Sequence, residues 1–199
     1  MYKSASVIVL AALVASPVMG QELLFNPGFE DVDTDGSVGD GWSSFGAAGF
    51  NAFFGPNGHA SLFSDTPGNF GGVFQPGLSG SAGTEYQFDL VDVRLEDNID
   101  ADYRFGLEYY LADESTKIGE TIAPMPLDIT GDGLSFSVTG IAPAGTAIVR
   151  PIVLFDNVIS TADGQENAFI FEVSLTVVPA PATGLVMLGA GLAAARRRR

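Results

Sequence analysis

The chain has 199 residues, 46% of them hydrophobic, with a formal net charge of −15 at pH 7, a single histidine and no cysteine. The missing cysteines exclude disulfide bracing and a thiol nucleophile. The acidity argues against nucleic acid or an anionic membrane surface as a partner.

The first element in chain order is a targeting segment. Lys3, the apolar run "VIVLAALVA" from Val7 to Ala15 and the small residues of "SPVMGQ" form the three-part pattern of a signal peptide, with the cut expected after Gly20. Nine apolar residues reach only about half of the ~20 that a membrane-spanning helix needs, which disfavours a permanent N-terminal anchor. The expected organisation is 1–20 signal peptide, 21–177 folded domain and 178–199 sorting tail. Without its two signals the body keeps four basic residues, Arg94, Arg104, Lys117 and Arg150, against 24 acidic ones, a net charge of −20. A domain of this size buries roughly 70% of its unfolded surface, enough for one core without disulfides.

Within the body the hydrophobic period is two. Irregular apolar runs come first: "ELLFN", "GWSSFG", "HASLF" and "GGVF". Then "TEYQFDL" places Tyr86, Phe88 and Leu90 inward, "YRFGLEYYL" does so for Phe105, Leu107, Tyr109 and Leu111, and "LSFSV" for Leu134, Phe136 and Val138. After "TAIVRPIVLF", the run "AFIFEVSLTV" sets Phe169, Phe171, Val173, Leu175 and Val177 on one face. Gly, Pro, Asn and Asp separate these runs, and the body has no helical pattern. The expected fold is therefore all-β, an antiparallel β-sandwich of about 8–10 strands, with 15 phenylalanines available to fill it.

The opening stretch "ELLFNPGFEDVDTDGSVGDGWSSFG" is similar to the start of family 4/9-type carbohydrate-binding modules, and "AFIFEVSLT" resembles their closing strand. The resemblance implies a jelly roll. It also implies a structural Ca²⁺ held by carboxylates of the first and last strands. Glu30 matches the family's Glu by position, and Glu172 is the nearest oxygen ligand on the closing strand, where Phe171 and Glu172 stand in place of the family's usual Asp pair. Separately, Asp31, Asp33 and Asp35 alternate before Gly36, a spacing that lets carboxylates converge on a hard cation. An ordinary acidic turn has the same composition. An EF-hand is excluded, because Trp42 stands where its twelfth-position Glu is required.

Sugar recognition needs planar side chains with polar groups beside them. The candidates are Trp42, the sole tryptophan, with Tyr103, Tyr110, Arg104 and Glu108 read as one outward face. The competing reading buries Trp42 in the core. His59 has no GxSxG, HExxH or cysteine companion, so a triad or zinc hydrolase is not expected. Glu108 and Glu172 are among the carboxylates a small glycoside hydrolase could use, a reading ranked below a non-catalytic one.

The last element is the tail. From Pro181 to Ala195 the 15 residues make about 22 Å of helix against ~30 Å of hydrocarbon, a marginal anchor. "VPAPATGLVMLGAGLAAARRRR" resembles the PEP-CTERM sorting signal of Gram-negative bacteria: Val178, Pro179, Ala180 and Pro181, a hydrophobic helix, then Arg196, Arg197, Arg198 and Arg199. The resemblance implies processing by an exosortase-type enzyme, with transient inner-membrane anchoring and delivery to the cell surface or exopolysaccharide matrix. Pro179-Ala180-Pro181 stands where the family's Pro-Glu-Pro is usual. The expected function is an exported, non-catalytic polysaccharide-binding protein, with a structural or adhesive matrix protein as the alternative.

Overall fold

The alternating runs become strands, because a segment with one apolar and one polar face is stable only when a second sheet covers the apolar side. A computed structural model describes residues 20–30, 39–46, 49–50, 58–64, 66–95, 101–126, 131–158 and 166–179. The described strands are β1 (Ser43–Gly46), β2 (Gly49–Phe50), β3 (Ala60–Ser64), β4 (Gly71–Phe74), β5 (Leu78–Ser79), β6 (Glu85–Leu95), β7 (Asp102–Tyr110), β8 (Lys117–Pro124), β9 (Gly131–Ile141), β10 (Ile148–Asp156) and β11 (Glu166–Val177).

They form two antiparallel sheets. The five-stranded sheet runs β2-β3-β11-β6-β9; the six-stranded sheet runs β1-β4-β10-β7-β8, with the short β5 also paired to β10. The fold is the expected all-β jelly-roll sandwich. The inner faces meet through Phe88 of β6 against Phe105 of β7, ring centroids 6.3 Å apart, and Phe105 against Phe136 of β9 at 6.2 Å. The Tyr103 hydroxyl crosses between the sheets and donates to the Leu62 carbonyl at 2.9 Å. Each fully buried Leu, Val or Phe of this interior contributes about 1.5–3 kcal/mol relative to exposure. Among the described residues, both sheets and their core lie within residues 20–179.

Several sequence expectations change. β11 does not keep one phase: a bulge at Glu172 breaks its register with β6, so Ala168 and Ile170 face inward before it and Val173 and Leu175 after it. Phe169 and Phe171 are thereby turned outward, where both rings contact buried His59 at 5.5 and 5.3 Å. "ELLFN" is not a full strand; Glu22 makes one bridge to Thr176, and the Leu23 amide donates to the Leu175 carbonyl. Leu111 lies past the end of β7 and is exposed. β8 has no counterpart among the alternating runs of the sequence, since Gly119, Glu120 and Pro124 interrupt its apolar pattern, as befits an edge strand. The signal peptide up to residue 19 and the tail from residue 180 lie outside the described residues.

Candidate functional site

The outer face of the six-stranded sheet is assembled by register. With Val149, Val153, Phe155, Phe105, Leu107 and Tyr109 facing inward, the alternate residues of β10 and β7 must face outward. One cross-strand row then reads Phe74, Ile152, Gly106 and Ile122. The glycines flatten this row and its neighbour. A Cβ on Gly106 would stand 3.0 Å from the Ile122 Cδ1, and one on Gly72 would stand 2.7 Å from the Phe45 Cζ, so those two side chains lean over the glycines. The result is an apolar band in which Phe74 and Ile122 are half-buried and Ile152, Gly72 and Gly106 are covered by their neighbours.

A hydrogen-bonding row borders the band, made by Arg150, Glu108 and Glu120 in register, with Lys117 and Tyr110 beside them. Arg150 is held between two rings, its guanidinium carbon 4.1 Å from the Tyr110 centroid and 4.6 Å from that of Phe74. Its Nη1 donates to the Tyr110 hydroxyl at 2.9 Å, and that hydroxyl donates to Glu108 Oε2 at 2.8 Å. Lys117 Nζ donates to Glu108 Oε1 at 3.0 Å and to Glu120 Oε2 at 2.8 Å. Burial, and then the Glu108 carboxylate that accepts its proton, push the Tyr110 hydroxyl above its usual pKa. Glu120, assisted by Glu108, holds Lys117 well above the usual lysine range. On the far side of the band Arg104 pairs with Asp156. Three of the body's four cations thus sit on one face, matched by Glu108, Glu120 and Asp156. Exposed Asp102, in register with Asp156, adds a fourth carboxylate, so in a domain of net charge −20 this face carries only one excess negative charge among these groups, and its planar and hydrogen-bonding groups are held by one another.

The structure brings together Tyr110, Arg104 and Glu108 on this face but not Trp42 or Tyr103, and those two require correction. Tyr103 is in phase with Phe105 and 2% exposed, packed against Phe155. Trp42 is 6% exposed, packed at a tilt against Phe29 with ring centroids 4.5 Å apart, and its indole N–H donates to the Asn26 carbonyl at 2.7 Å. Asn26 also ties the two ends of the acidic loop, donating to the Glu30 and Asp40 carbonyls and accepting from the Glu30 amide. The opening motif is therefore a structural knot, and neither ring offers a free face. Sequence reasoning missed Arg150, Phe74, Ile122 and Lys117, because only the long-range pairing of β4, β10, β7 and β8 makes them neighbours.

A second feature lies where the chain opening meets β11. Glu30, Asp92 and Glu172 line a hollow of about 300 Å³ together with Gly28, Gly58 and Phe171. Asp92 faces Glu172 across the bulge, and its signal in the sequence is the broken alternation of "LVDVRL". These are the hard oxygen donors that calcium takes. Among the described residues no three acidic or histidine side chains converge closely enough to form a ready metal set, and Asp31, Asp33 and Asp35 lie outside those residues. Glu108 and Glu172 are on opposite sheets, so they cannot flank one glycosidic bond. His59 is buried, and burial lowers its pKa.

No family model and no curated protein matches the sequence. Solved structures do match in fold. A cyclase from Fischerella sp. TAU has 16% identity and a TM-score of 0.56, covering 80% of this chain and 97% of that one. TmCBM61, solved with β-1,4-galactotriose, has 15% identity and a TM-score of 0.50, covering 79% and 99%. The enzymatically active domain of bacteriophage CBA120 tailspike protein 4 has 9% identity and a TM-score of 0.57, but this chain spans only 21% of its length. At such identities the likeness is one of fold: the chain is similar to a carbohydrate-binding module and to a small cyclase over nearly the whole of each.

Proposed function

We propose that this protein is an exported, non-catalytic module that binds polysaccharide on the outer face of its six-stranded sheet. The observation that carries the reading is the Arg150 guanidinium clamped between Phe74 and Tyr110, beside the half-buried apolar side chains of Phe74 and Ile122. Apolar sugar faces would lie on the band, and hydroxyl groups would exchange hydrogen bonds with Glu108, Arg150 and Lys117. The fold shared with TmCBM61 supports it. Calcium belongs to the same reading as a structural ion at the hollow: Glu30, Asp92 and Glu172 line it without converging, so they would have to draw together to hold the ion and tie the chain opening to β11.

Affinity electrophoresis of residues 21–179 through gels of soluble polysaccharides, with calcium or EDTA, tests this. Retardation by at least one polymer is expected, lost in Phe74→Ala and Lys117→Ala variants whose circular dichroism matches the wild type. EDTA should lower the melting temperature. Free migration in every polymer would favour the structural or adhesive matrix role, and an EDTA-insensitive melt would remove calcium from the account.

Surface sorting is the second part of the proposal. The Val178 amide donates to the Glu85 carbonyl at 2.9 Å and Pro179 is exposed, so the last bond of the sheet is made where the Val-Pro-Ala-Pro run begins. An exosortase-type enzyme would act on this run, at the end of the described sheet. Intact-mass measurement on the surface-located protein should find Arg196 to Arg199 removed; their retention would overturn the sorting role.

A further inference from the structure

β9 ends the five-stranded sheet, and among the described residues no strand lies beyond it. An open edge presents unpaired N–H and C=O groups, and proteins guard such edges by shortness, charge or proline. The other edges here follow that rule. β1 has four residues and β2 two, while β8 carries Lys117, Glu120 and Pro124. β9 has eleven residues, and from Gly133 to Ile141 it contains neither a charge nor a proline. Among the described residues its backbone pairs with β6 alone.

The side chains of this edge are also incompletely covered. Leu134, Phe136 and Val138 face the core yet are only half-buried, Ser135, Ser137 and Thr139 are exposed on the outer face, and Ile141 is 65% exposed. We infer that β9 is an interface strand that pairs antiparallel with β9 of a second copy of this chain, joining two five-stranded sheets into one.

Charge and pattern select this occupant. Two bodies of charge −20 repel each other over most of their surface, and an uncharged strand lets them approach. A two-fold axis at Ser137 sets Phe136 opposite the partner's Val138 and Ser135 opposite the partner's Thr139, so apolar meets apolar inside and hydroxyl meets hydroxyl outside. Because the two strands would share one sheet, both six-stranded sheets would face the same side of the dimer, giving two ligand faces in one orientation.

Light scattering on residues 21–179 over a range of concentrations should read a dimer mass. Ser137→Lys, which sets two lysines across the axis, should give a monomer with unchanged circular dichroism. Combining Ser135→Glu with Thr139→Lys, which sets opposite charges face to face, should keep the dimer. A monomeric wild type would overturn the inference, and so would a dimer indifferent to Ser137→Lys. Dissociation by Phe70→Ser instead would move the contact to the exposed phenylalanine beside β4 and would equally overturn it. Should Ser137→Lys fail to fold, hydrogen exchange on the wild type decides: β9 amides must slow as concentration rises, and concentration-independent exchange would count against the pairing.

Discussion

Replacing Trp42 by alanine is expected to destabilise the domain by about 3–5 kcal/mol, the usual cost of emptying a buried tryptophan site. In a domain of this size that is a fall in melting temperature on the order of 10 °C. The indole fills the space beside Phe29, whose backbone is held at φ 53°, and its N–H satisfies the Asn26 carbonyl. Gly39 and Gly58 press on Phe29 so closely that a Cβ on either would come within 2.8 Å of its backbone, which leaves the surroundings little freedom to collapse into the vacated space. Trp42→Phe should cost less: it keeps a ring against Phe29 and leaves one carbonyl unpaired, a penalty of about 1–3 kcal/mol. Thermal melts followed by circular dichroism measure both, and as the sole tryptophan Trp42 should emit at the short wavelengths of a buried indole. An alanine variant that melts with the wild type would return Trp42 to the surface and reopen it as a ligand contact. Any loss of polysaccharide retardation in Trp42→Ala therefore has to be read against its melt.

The period-two runs of β6 and β7 made the fold legible, because Tyr86, Phe88, Leu90, Phe105, Leu107 and Tyr109 are each buried by a facing sheet, as alternation alone requires. Alternation fails where the backbone adds a residue. The Glu172 bulge turns Phe169 and Phe171 away from the side that Val173 occupies, and no local preference of "AFIFEVSL" announces it. The ligand face was legible in part for a related reason. Glu108 and Tyr110 are two apart on β7 and share a face by local geometry, whereas Arg150 lies 40 residues from Tyr110 and reaches it only through the pairing of β7 with β10. The acidic hollow follows the same rule: the resemblance at the two chain ends joined Glu30 to Glu172, but Asp92 enters only through the β6–β11 ladder.

Glu108→Ala is expected to affect stability and binding together. Glu108 is 9% exposed and is the shared acceptor for Tyr110 and Lys117, with Arg150 Nη1 3.8 Å from its Oε2. Breaking a buried charge pair costs about 3–5 kcal/mol, and because Lys117 is 43% exposed and can turn to water the figure falls to roughly 2–3 kcal/mol. Arg150 cannot turn away as easily, since Phe74 and Tyr110 hold its guanidinium. It would remain as a positive charge without its balancing carboxylate, while the Tyr110 hydroxyl would lose its acceptor. Glu108→Gln keeps the length and an acceptor oxygen for Tyr110 but not the charge, so it should melt between the wild type and the alanine variant. If the network exists to fix Arg150 and Lys117 for sugar hydroxyls, retardation should weaken in Glu108→Gln even where the melt shows a folded domain. Loss of stability without loss of retardation would make the network a brace for the sheet and move the ligand elsewhere. A Glu108→Ala variant that melts with the wild type would mean that these charges are solvated in solution, and the face would lose the preorganisation on which the binding proposal depends.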